Sequence, residues 1–234
     1  MLARLLPERC PVCGEGTSEA ICDACRASFA LVDDPCPTCG LSAPVLRCPQ
    51  RAGEWQVQRV VAPLRYEYPL DRYIHALKFM GERRMGRALG LLLASHVERR
   101  GRAGAVDAIV AVPLHRGRLI ERGYNQALEI ARPLASALDR PVLLAGISRR
   151  RPTAPQSTLR TGRRKVNVAG AFTAARDLRG RAIAVVDDVI TTGATVNALA
   201  AALRGAGARE VHAWSVARAA MSEARTESNL ATKL

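Results

Sequence analysis

The sequence predicts an α/β protein built on a parallel sheet and preceded by a small cysteine-rich unit. Two runs, 105–113 and 181–186, are apolar and rich in β-branched residues without alternation, as expected of parallel strands covered on both faces. Each run is followed by a polar loop and then by a helical pattern. A chain of 234 residues is long enough for one α/β domain and a small additional unit.

All seven cysteines lie before residue 49, as three Cys-x-x-Cys pairs and one single residue: Cys10, Cys13, Cys22, Cys25, Cys36, Cys39 and Cys48. Two thiolates on one tight turn can bind the same ion, and two such pairs form a closed tetrahedral site. The first four cysteines therefore predict one structural Zn²⁺. In both Cys-Pro-x-Cys-Gly turns, the glycine is expected to supply a positive φ.

The second cysteine set lacks a fourth member, because Arg51 stands where another cysteine is expected. Either this site is degenerate or a group from elsewhere completes it. A disulfide framework is the competing interpretation, which an odd number of cysteines in a cytoplasmic chain disfavours. With so little apolar sequence, this unit is expected to need metal in order to fold.

The net charge of +14 and the pI of about 10.5 indicate a polyanionic partner or a phosphate-rich substrate. The alternative is an ordinary solvated basic surface. No apolar run is long enough to span a membrane, and the N-terminus lacks the features of a signal peptide. We therefore expect a cytoplasmic protein without membrane insertion.

The second apolar run leads into two adjacent carboxylates, Asp187 and Asp188, where the strand is expected to end. A Thr- and Gly-rich stretch follows at 191–195, and an Ala-rich helix is predicted at 194–204. Loop N–H groups, a helix N-terminus and threonine hydroxyls can together bind a phosphate. The acidic pair would repel that phosphate, so it should face sugar hydroxyls or a hydrated Mg²⁺. An acidic turn after a core strand is the simpler alternative.

The stretch Val-Val-Asp-Asp-Val-Ile-Thr-Thr-Gly-Ala-Thr at 185–195 resembles the phosphoribosyl pyrophosphate (PRPP) motif of type I phosphoribosyltransferases. The resemblance implies that Asp187 and Asp188, the candidate catalytic pair, hold the ribose hydroxyls. It places the 5′-phosphate and its surroundings at Val186, Thr191, Thr192, Gly193, Ala194 and Thr195. Catalysis does not follow from the motif, because regulatory proteins share it.

The loop after the first apolar run carries the charge that a pyrophosphate requires. By the same resemblance, the pyrophosphate loop is assigned to Pro113, Leu114, His115 and Arg116. The alternative is an arginine-rich surface loop. A second basic segment, 149–165, could close over a polyphosphate or follow a nucleic-acid backbone.

Three stretches together resemble the ComF family (competence protein F, GntX-like): 122–127, 153–167 and the acidic motif, behind an N-terminal double zinc ribbon. This resemblance adds candidate ligand-binding residues at Arg122, Asn125, Gln126, Thr153, Gln156 and Arg164. It divides the chain into a zinc-ribbon domain at 1–54 and a type I phosphoribosyltransferase-like domain at 55–218. Residues 219–234 lack periodicity and are interpreted as a frayed tail.

Two functions are compatible with these features. The first is phosphoribosyl transfer from PRPP with Mg²⁺, to an acceptor that the sequence does not identify. The second is a binding module that keeps the PRPP pocket as a sensor and handles single-stranded DNA beside a DNA-uptake helicase, as the ComF resemblance implies. Aromatic residues make up only 4% of the chain, so such binding would be mainly electrostatic. The oligomeric state is left open.

The remaining elements follow from apolar spacing. Strands are expected at 55–62, 141–145 and 209–217, and 64–68 is expected to pair with the first of these. Helices are expected at 70–79, 84–99 and 124–138. His75 and Lys78 are interpreted as surface residues, although they could approach a site.

Overall fold

A computed structural model describes residues 8–42, 48, 55–150 and 170–220. The described residues form nine strands: β1 (Glu8–Arg9), β2 (Gly16–Thr17), β3 (Arg59–Val61), β4 (Leu64–Arg65), β5 (Ala108–Ala111), β6 (Ile147–Arg149), β7 (Phe172–Ala174), β8 (Ala182–Ile190) and β9 (Glu210–Arg218). They also form six helices: α1 (Asp23–Ala27), α2 (Leu70–Phe79), α3 (Arg83–Arg99), α4 (Arg116–Arg122), α5 (Gln126–Ala137) and α6 (Ala194–Gly205). None of these helices combines the length and hydropathy needed to cross a bilayer.

The main sheet is parallel at every pairing, as the sequence predicts. Its strands lie in the order β3, β9, β8, β5, and β4 pairs with β9 further along that strand. Residues 182–186 of β8 are all buried, and successive residues point to opposite faces, so both faces are covered. Helix α5 packs against β5 and β8, α3 against α5 and β9, and α6 against β8 and β9.

The cysteine-rich unit shares its core with the sheet domain. Cys10, Ile21 and Phe29 belong to the same buried cluster as the residues of the main sheet. The Phe29 ring also meets the Tyr73 ring of α2 edge-on, with 6.0 Å between centroids. The small unit is therefore packed against the larger domain.

Strand β8 is longer than predicted, and the acidic pair lies within it. The sequence places the end of the strand at Asp187, but parallel pairing with β9 continues through Val189 and Ile190. The reason is the length of β9, whose last residues, Ala217 and Arg218, supply the partners. The carboxylates consequently project from a paired strand.

Two strand predictions were wrong. Residues 64–65 do not pair with 59–61; both segments pair in parallel with β9, which is long enough to hold them in succession. The expected strand at 141–145 is reduced to one parallel bridge between Val142 and Ile109. Leu144 is exposed there and Gly146 has a φ of 81°, so the segment turns away from the sheet.

Helices at 70–79, 83–99 and 194–205 agree with the predictions to within one residue. The expected loop at 114–123 is instead largely helical. The His115 ring accepts a hydrogen bond from Gly117 N at 3.2 Å and caps α4, which Gly123 ends with a φ of 80°. Asn125 then caps α5, so that helix begins at Gln126 and not at Tyr124. Residues 147–149, expected to begin a loop, pair antiparallel with β7.

Helices α3 and α5 approach closely because glycine stands where they meet. A Cβ at Gly86 would lie 2.5 Å from the Cβ of Glu129, and one at Gly90 would lie 2.4 Å from the carbonyl oxygen of Ile130. The second neighbour is backbone and cannot move aside alone. The crossing distance therefore depends on the absence of a side chain at Gly90.

We predict that Gly90→Ala lowers the free energy of unfolding by about 2–3 kcal/mol, because overpacking forces the helices apart. The matched control is Gly205→Ala at the end of α6, where an added Cβ meets nothing within 4 Å. That change should be neutral or stabilise by about 0.5 kcal/mol. Chemical denaturation measures the free energy of unfolding of both variants. Equal changes in the two would show that close packing of α3 on α5 does not require glycine at residue 90.

Candidate functional site

The acidic pair lines a cleft of about 360 Å³. Asp187 is half-buried, and Asp188 is only 3% exposed. The carboxylate of Asp187 accepts a hydrogen bond from Asp188 N at 2.9 Å, and that of Asp188 accepts one from Val189 N at 2.8 Å. Ser215 of β9 donates to the Asp188 carbonyl at 3.0 Å. Main-chain and neighbouring-strand contacts thus fix both carboxylates.

Lys78, interpreted from the sequence as a surface residue, contacts Asp188. Its ammonium nitrogen lies 2.9 Å from Asp188 Oδ2, and its side chain is 23% exposed. This ion-pair contact is the one polar contact found for Oδ2 among the described residues. Burial alone would lower the pKa of Lys78, but the charge and hydrogen bonding of Asp188 outweigh burial and raise it. His75 is exposed, as expected.

Of the two carboxylates, Asp187 is the one whose ionisation the folded protein disfavours. Burial, followed by the charge of the adjacent Asp188, raises the pKa of Asp187 well above its ordinary value of 3.8. The Lys78 charge acts in the opposite direction without cancelling the shift. A hydroxyl-rich ligand or a cation at this carboxylate would replace the water that burial removes.

The phosphate-loop candidate, residues 191–195, forms one wall of the cleft. Gly193 has a φ of 80° and is the N-cap of α6, so it offers the helix no side-chain cap. The Thr192 hydroxyl accepts a hydrogen bond from Ala194 N at 3.3 Å. Thr191, Gly193, Ala194 and Thr195 line the cleft. Val186 is fully buried in the sheet below them.

The cleft also has a basic wall. Leu114 and His115 line it, together with three arginines from α4 and β6: Arg118, Arg122 and Arg149. Gln126 completes this wall, and its side-chain oxygen accepts a hydrogen bond from Arg122. The cleft therefore combines carboxylates and a phosphate-loop candidate with several cationic groups.

A neighbouring cavity of about 520 Å³ shares Leu114 and Arg149 with the cleft. Two residues assigned to the pyrophosphate loop, Pro113 and Arg116, line this cavity, and so does Asn125, a candidate from the ComF resemblance. Asn125 has a structural contact, because its amide donates to the Val112 carbonyl at 3.0 Å while its oxygen caps α5. Thr153, Gln156 and Arg164, with most of the basic segment, fall outside the described residues.

Among the residues that line the cleft, Arg118 was expected from the sequence to contribute charge for a pyrophosphate, whereas Tyr66, Phe79 and Arg149 were given no role of their own. For Arg149 the available signal was charge, since it begins the segment noted as basic. Phe79 is 63% exposed at the cleft mouth, and the Arg122 guanidinium lies 5.3 Å from its ring centroid. In the sequence it is indistinguishable from a core residue of α2.

The cysteines converge in two groups, as predicted. The ligand atoms within each group, Cys10–Cys13–Cys22–Cys25 and Cys36–Cys39–Cys48, lie within 4.8 Å of one another. The Cys13 and Cys22 sulfurs are 3.7 Å apart, close to the edge of a tetrahedron with Zn–S bonds of about 2.3 Å. Burial would raise the pKa of Cys10, but N–H groups of Cys22, Cys13 and Val12 lower it to about 6. Four converging thiols in the first group and three in the second are donors of the kind that bind Zn²⁺.

The two Cys-Pro-x-Cys-Gly turns are built alike. In the first knuckle (residues 10–15), Gly14 N donates to Cys10 O and Cys10 N to Glu15 O, both at 2.8 Å. In the second knuckle (residues 36–41), Gly40 N and Cys36 N make the same two hydrogen bonds at 2.8 Å. Gly14 and Gly40 have φ values of 84° and 72°, as the sequence predicts.

The second knuckle lies directly behind the 191–195 loop. Arg218, only 3% exposed, donates from Nε to the Cys39 carbonyl at 2.9 Å and from Nη1 to the carbonyls of Ile190, at 2.8 Å, and Thr191. Burial lowers the pKa of Arg218 to about 10, which still leaves it charged at neutral pH. Trp55 donates to the Thr38 carbonyl at 3.2 Å and packs on Gly193.

The comparisons with known proteins agree with this arrangement. The chain is 36% identical to the DNA utilization protein YhgH of Escherichia coli (strain K12) over 206 residues, which cover 85% of this chain and 90% of that protein. The chain belongs to the ComF family. It is also 34% identical to Competence protein F of Haemophilus influenzae (strain ATCC 51907 / DSM 11121 / KW20 / Rd), over 74% of this chain and 77% of that protein.

Two family models match the chain: the double zinc ribbon domain at residues 1–54 and the phosphoribosyl transferase domain at residues 124–232. The fold is therefore a parallel-sheet phosphoribosyltransferase-like domain with an N-terminal double zinc ribbon. A crystal structure of a purine phosphoribosyltransferase from Pyrococcus horikoshii Ot3 aligns over 56% of this chain and 71% of that chain, with 20% identity and a TM-score of 0.33.

The raised pKa of Asp187 gives a stability prediction with a definite sign. A carboxyl whose pKa is higher in the folded than in the unfolded protein adds stability at low pH, and that stability is lost as the pH rises through the folded value. We therefore predict that Asp187→Asn, which resembles the uncharged carboxyl, is more stable than the wild type at neutral pH. The advantage should shrink as the pH falls towards 3.8.

Urea unfolding of both proteins from about pH 4 to 8 checks this. Asp188→Asn is the matched comparison, and it should be less stable than the wild type because Lys78 loses its partner. If both substitutions shift stability in the same direction, or if the Asp187→Asn advantage is independent of pH, this electrostatic account is wrong.

Proposed function

We propose that the cleft binds PRPP together with Mg²⁺ and that the protein serves DNA uptake through this site. The observation that carries the proposal is the cleft itself, because an acidic pair, a helix N-terminus and several guanidinium groups line the same cavity. The ligand expected there has two anionic ends and hydroxyls between them. PRPP has this pattern of charge.

In this proposal the 5′-phosphate lies on the 191–195 loop. The loop offers main-chain N–H groups at the start of a twelve-residue helix, whose dipole favours an anion. Asp187 accepts hydrogen bonds from the ribose hydroxyls. Asp188 is already paired with Lys78, so the lysine limits the repulsion between the carboxylates and the phosphate.

The pyrophosphate is directed at the basic wall, towards Leu114, His115, Arg118 and Arg122. Guanidinium groups suit phosphate oxygens because several N–H donors lie in one plane. Mg²⁺ prefers oxygen ligands and usually bridges phosphates with one or two carboxylates, which makes Asp187 a candidate ligand. When bound, the ion would neutralise charge on the departing pyrophosphate.

Phosphoribosyl transfer is the first candidate activity. The bond between ribose C1 and pyrophosphate breaks, an acceptor forms the new bond at C1, and pyrophosphate leaves. Arg118 and Arg122 would stabilise the leaving group, and the fixed loop would hold the ribose in place. This chemistry depends on positioning and electrostatics, so it does not require a dedicated base in the cleft.

Binding without turnover is the second candidate. The net charge of +14 and the names of two relatives, a DNA utilization protein and a competence protein, favour a role with DNA. The PRPP pocket would then act as a sensor while basic surfaces contact single-stranded DNA, beside a helicase partner of the uptake machinery.

We predict that Asp187→Asn weakens PRPP–Mg²⁺ binding by about 10- to 100-fold, because hydrogen bonds to a charged group contribute roughly 1.5–3 kcal/mol. Isothermal titration calorimetry measures the affinity. Asp177→Asn is the matched control, since Asp177 is exposed and pairs only with Arg179 among its described contacts. Equal affinities of wild type and Asp187→Asn would reject the assignment of this carboxylate.

Pyrophosphate release from PRPP, measured with a panel of nucleobases and nucleosides, separates the two candidates. The wild type should release pyrophosphate with one acceptor class, and the Asp187→Asn/Asp188→Asn double variant should not. Binding of PRPP without release by any acceptor would favour the sensor role.

For the sensor role, we predict that affinity for single-stranded DNA falls steeply with salt, with a log–log slope of roughly −0.7 per phosphate contacted. Arg118→Ala/Arg122→Ala should make the slope shallower. Arg209→Ala, at the opposite end of β9 from the cleft, removes an exposed charge and should change the slope less. Fluorescence anisotropy from low to high salt measures the slope, and a flat profile would reject DNA binding.

A further inference from the structure

The 191–195 loop is held from behind by the second knuckle. On the cleft side, Thr191, Gly193, Ala194 and Thr195 face the ligand space. On the other side, Arg218 and Trp55 connect the same loop to residues 38 and 39. A loop that binds phosphate through main-chain N–H groups must have those groups preorganised, so what holds the loop matters for affinity.

Arg218 joins a metal-ligand residue to the loop through one guanidinium group. Nε donates to the carbonyl oxygen of Cys39, and Nη1 donates to those of Ile190 and Thr191. In the described part of the chain, the hydrogen bonds of this buried group go to main-chain carbonyl oxygens. Because the guanidinium is planar and rigid, a displacement of Cys39 reaches Thr191 through a single side chain.

Trp55 provides a second connection. Its Nε1 donates to the Thr38 carbonyl at 3.2 Å, between the two cysteines of the knuckle. A Cβ at Gly193 would lie 2.6 Å from its ring, so the ring packs directly on the N-cap of α6. Gln56 N also donates to the Asn197 side chain at 2.6 Å, one turn further along this helix.

With zinc bound, the second cysteine set would carry a negative charge next to the buried guanidinium of Arg218. Three thiolates on one Zn²⁺ leave a net negative charge, and the Arg218 guanidinium lies against the main chain of one of the three ligands. A buried cation needs a compensating charge nearby. Losing the metal would release the sulfurs and loosen the knuckle whose carbonyls hold Arg218 and Trp55.

We propose that zinc at Cys36, Cys39 and Cys48 and phosphate at the 191–195 loop are thermodynamically coupled, with Arg218 and Trp55 as the positioning residues that connect them. The inference rests on the proposed PRPP site and deepens it, because the affinity of that site becomes dependent on metal occupancy. Coupling is reciprocal, so ligand on the loop must also retain the metal.

The first cysteine set supplies the internal control. The described hydrogen bonds of its knuckle remain within the small unit, such as Cys22 N to Cys10 Sγ at 3.5 Å. Its packing contacts with the sheet domain include Phe29 against Tyr73 of α2, and the described hydrogen bonds of its cysteines do not involve residues 191–195. Metal there should support the fold without acting on the phosphate loop.

The experiment compares Cys36→Ser with Cys13→Ser in the full-length protein, with ribose 5-phosphate as the probe. Each variant should lose one zinc by metal analysis. Calorimetry should show that Cys36→Ser weakens ribose 5-phosphate binding at least tenfold, whereas Cys13→Ser changes it less than threefold. Equal losses in the two variants would overturn the inference, because they would indicate general destabilisation.

Arg218→Lys tests the connection without removing a metal ligand. It keeps the charge but cannot reach Cys39 and Thr191 together, so both zincs should remain while affinity falls. In the reverse direction, saturating ribose 5-phosphate should slow zinc transfer from the wild type to a chelator, and only in the kinetic phase that Cys36→Ser lacks. No slowing in that phase would contradict the coupling.

Hydrogen–deuterium exchange of residues 190–197 separates failure of this inference from failure of the PRPP proposal. Exchange there should rise in Cys36→Ser and Arg218→Lys but not in Cys13→Ser, whether or not a ligand binds. If the wild type binds neither PRPP nor ribose 5-phosphate while exchange follows this pattern, the PRPP proposal is wrong, and only the mechanical connection between the second knuckle and the loop is retained. Unchanged exchange in Cys36→Ser would reject the coupling itself.

Discussion

The pairing of β8 with β9 as far as Ile190 and Arg218 is the constraint on which the rest of the cleft depends. It keeps Asp187 and Asp188 in an ordered strand, with Ser215 donating a hydrogen bond to the Asp188 carbonyl. It also brings Arg218 beside the first residue of the 191–195 loop. If β8 ended at Asp187, the carboxylates would lie in a loop and Arg218 would have no neighbour in that strand.

This arrangement places several charges where burial disfavours them. Burial and the charge of Asp188 raise the pKa of Asp187, and burial lowers the pKa of Arg218. Lys78 and Asp188 offset each other, but Asp187 has no comparable partner among its described contacts. The raised pKa means that the negative charge of this half-buried carboxylate costs free energy in the folded protein. A cation or a hydrogen-bond donor beside Asp187 would offset that cost.

The features that the sequence predicted were those carried by local patterns. Uninterrupted apolar runs identify β5 and β8, and Cys-x-x-Cys spacing identifies both metal groups. The contact of Lys78 with Asp188 was not predicted. Helical periodicity identifies the buried face of α2, but it does not show which charged residue at the border of that face has a partner distant in sequence. Arg218 had no signal, since one arginine at a strand end is ordinary in an arginine-rich chain. The partner of β4 was missed because parallel pairing joins strands that are not neighbours in sequence.

The second knuckle of the zinc ribbon contacts the end of the sheet where β8 and β9 finish, at Ile190 and Arg218. Main-chain N–H groups bind phosphate tightly only where the loop conformation is fixed before binding. A loop that follows the end of a parallel strand is not fixed by strand pairing, so other contacts must hold it. Here the support comes from the second knuckle, through Trp55 on Gly193 and Arg218 on Thr191. Arginine suits this position better than lysine, because its Nε and Nη1 point in different directions and can hold two segments at once. In the proposed coupling, metal would give rigidity to a unit too small to fold on apolar burial alone, and these two contacts would carry that rigidity to the loop.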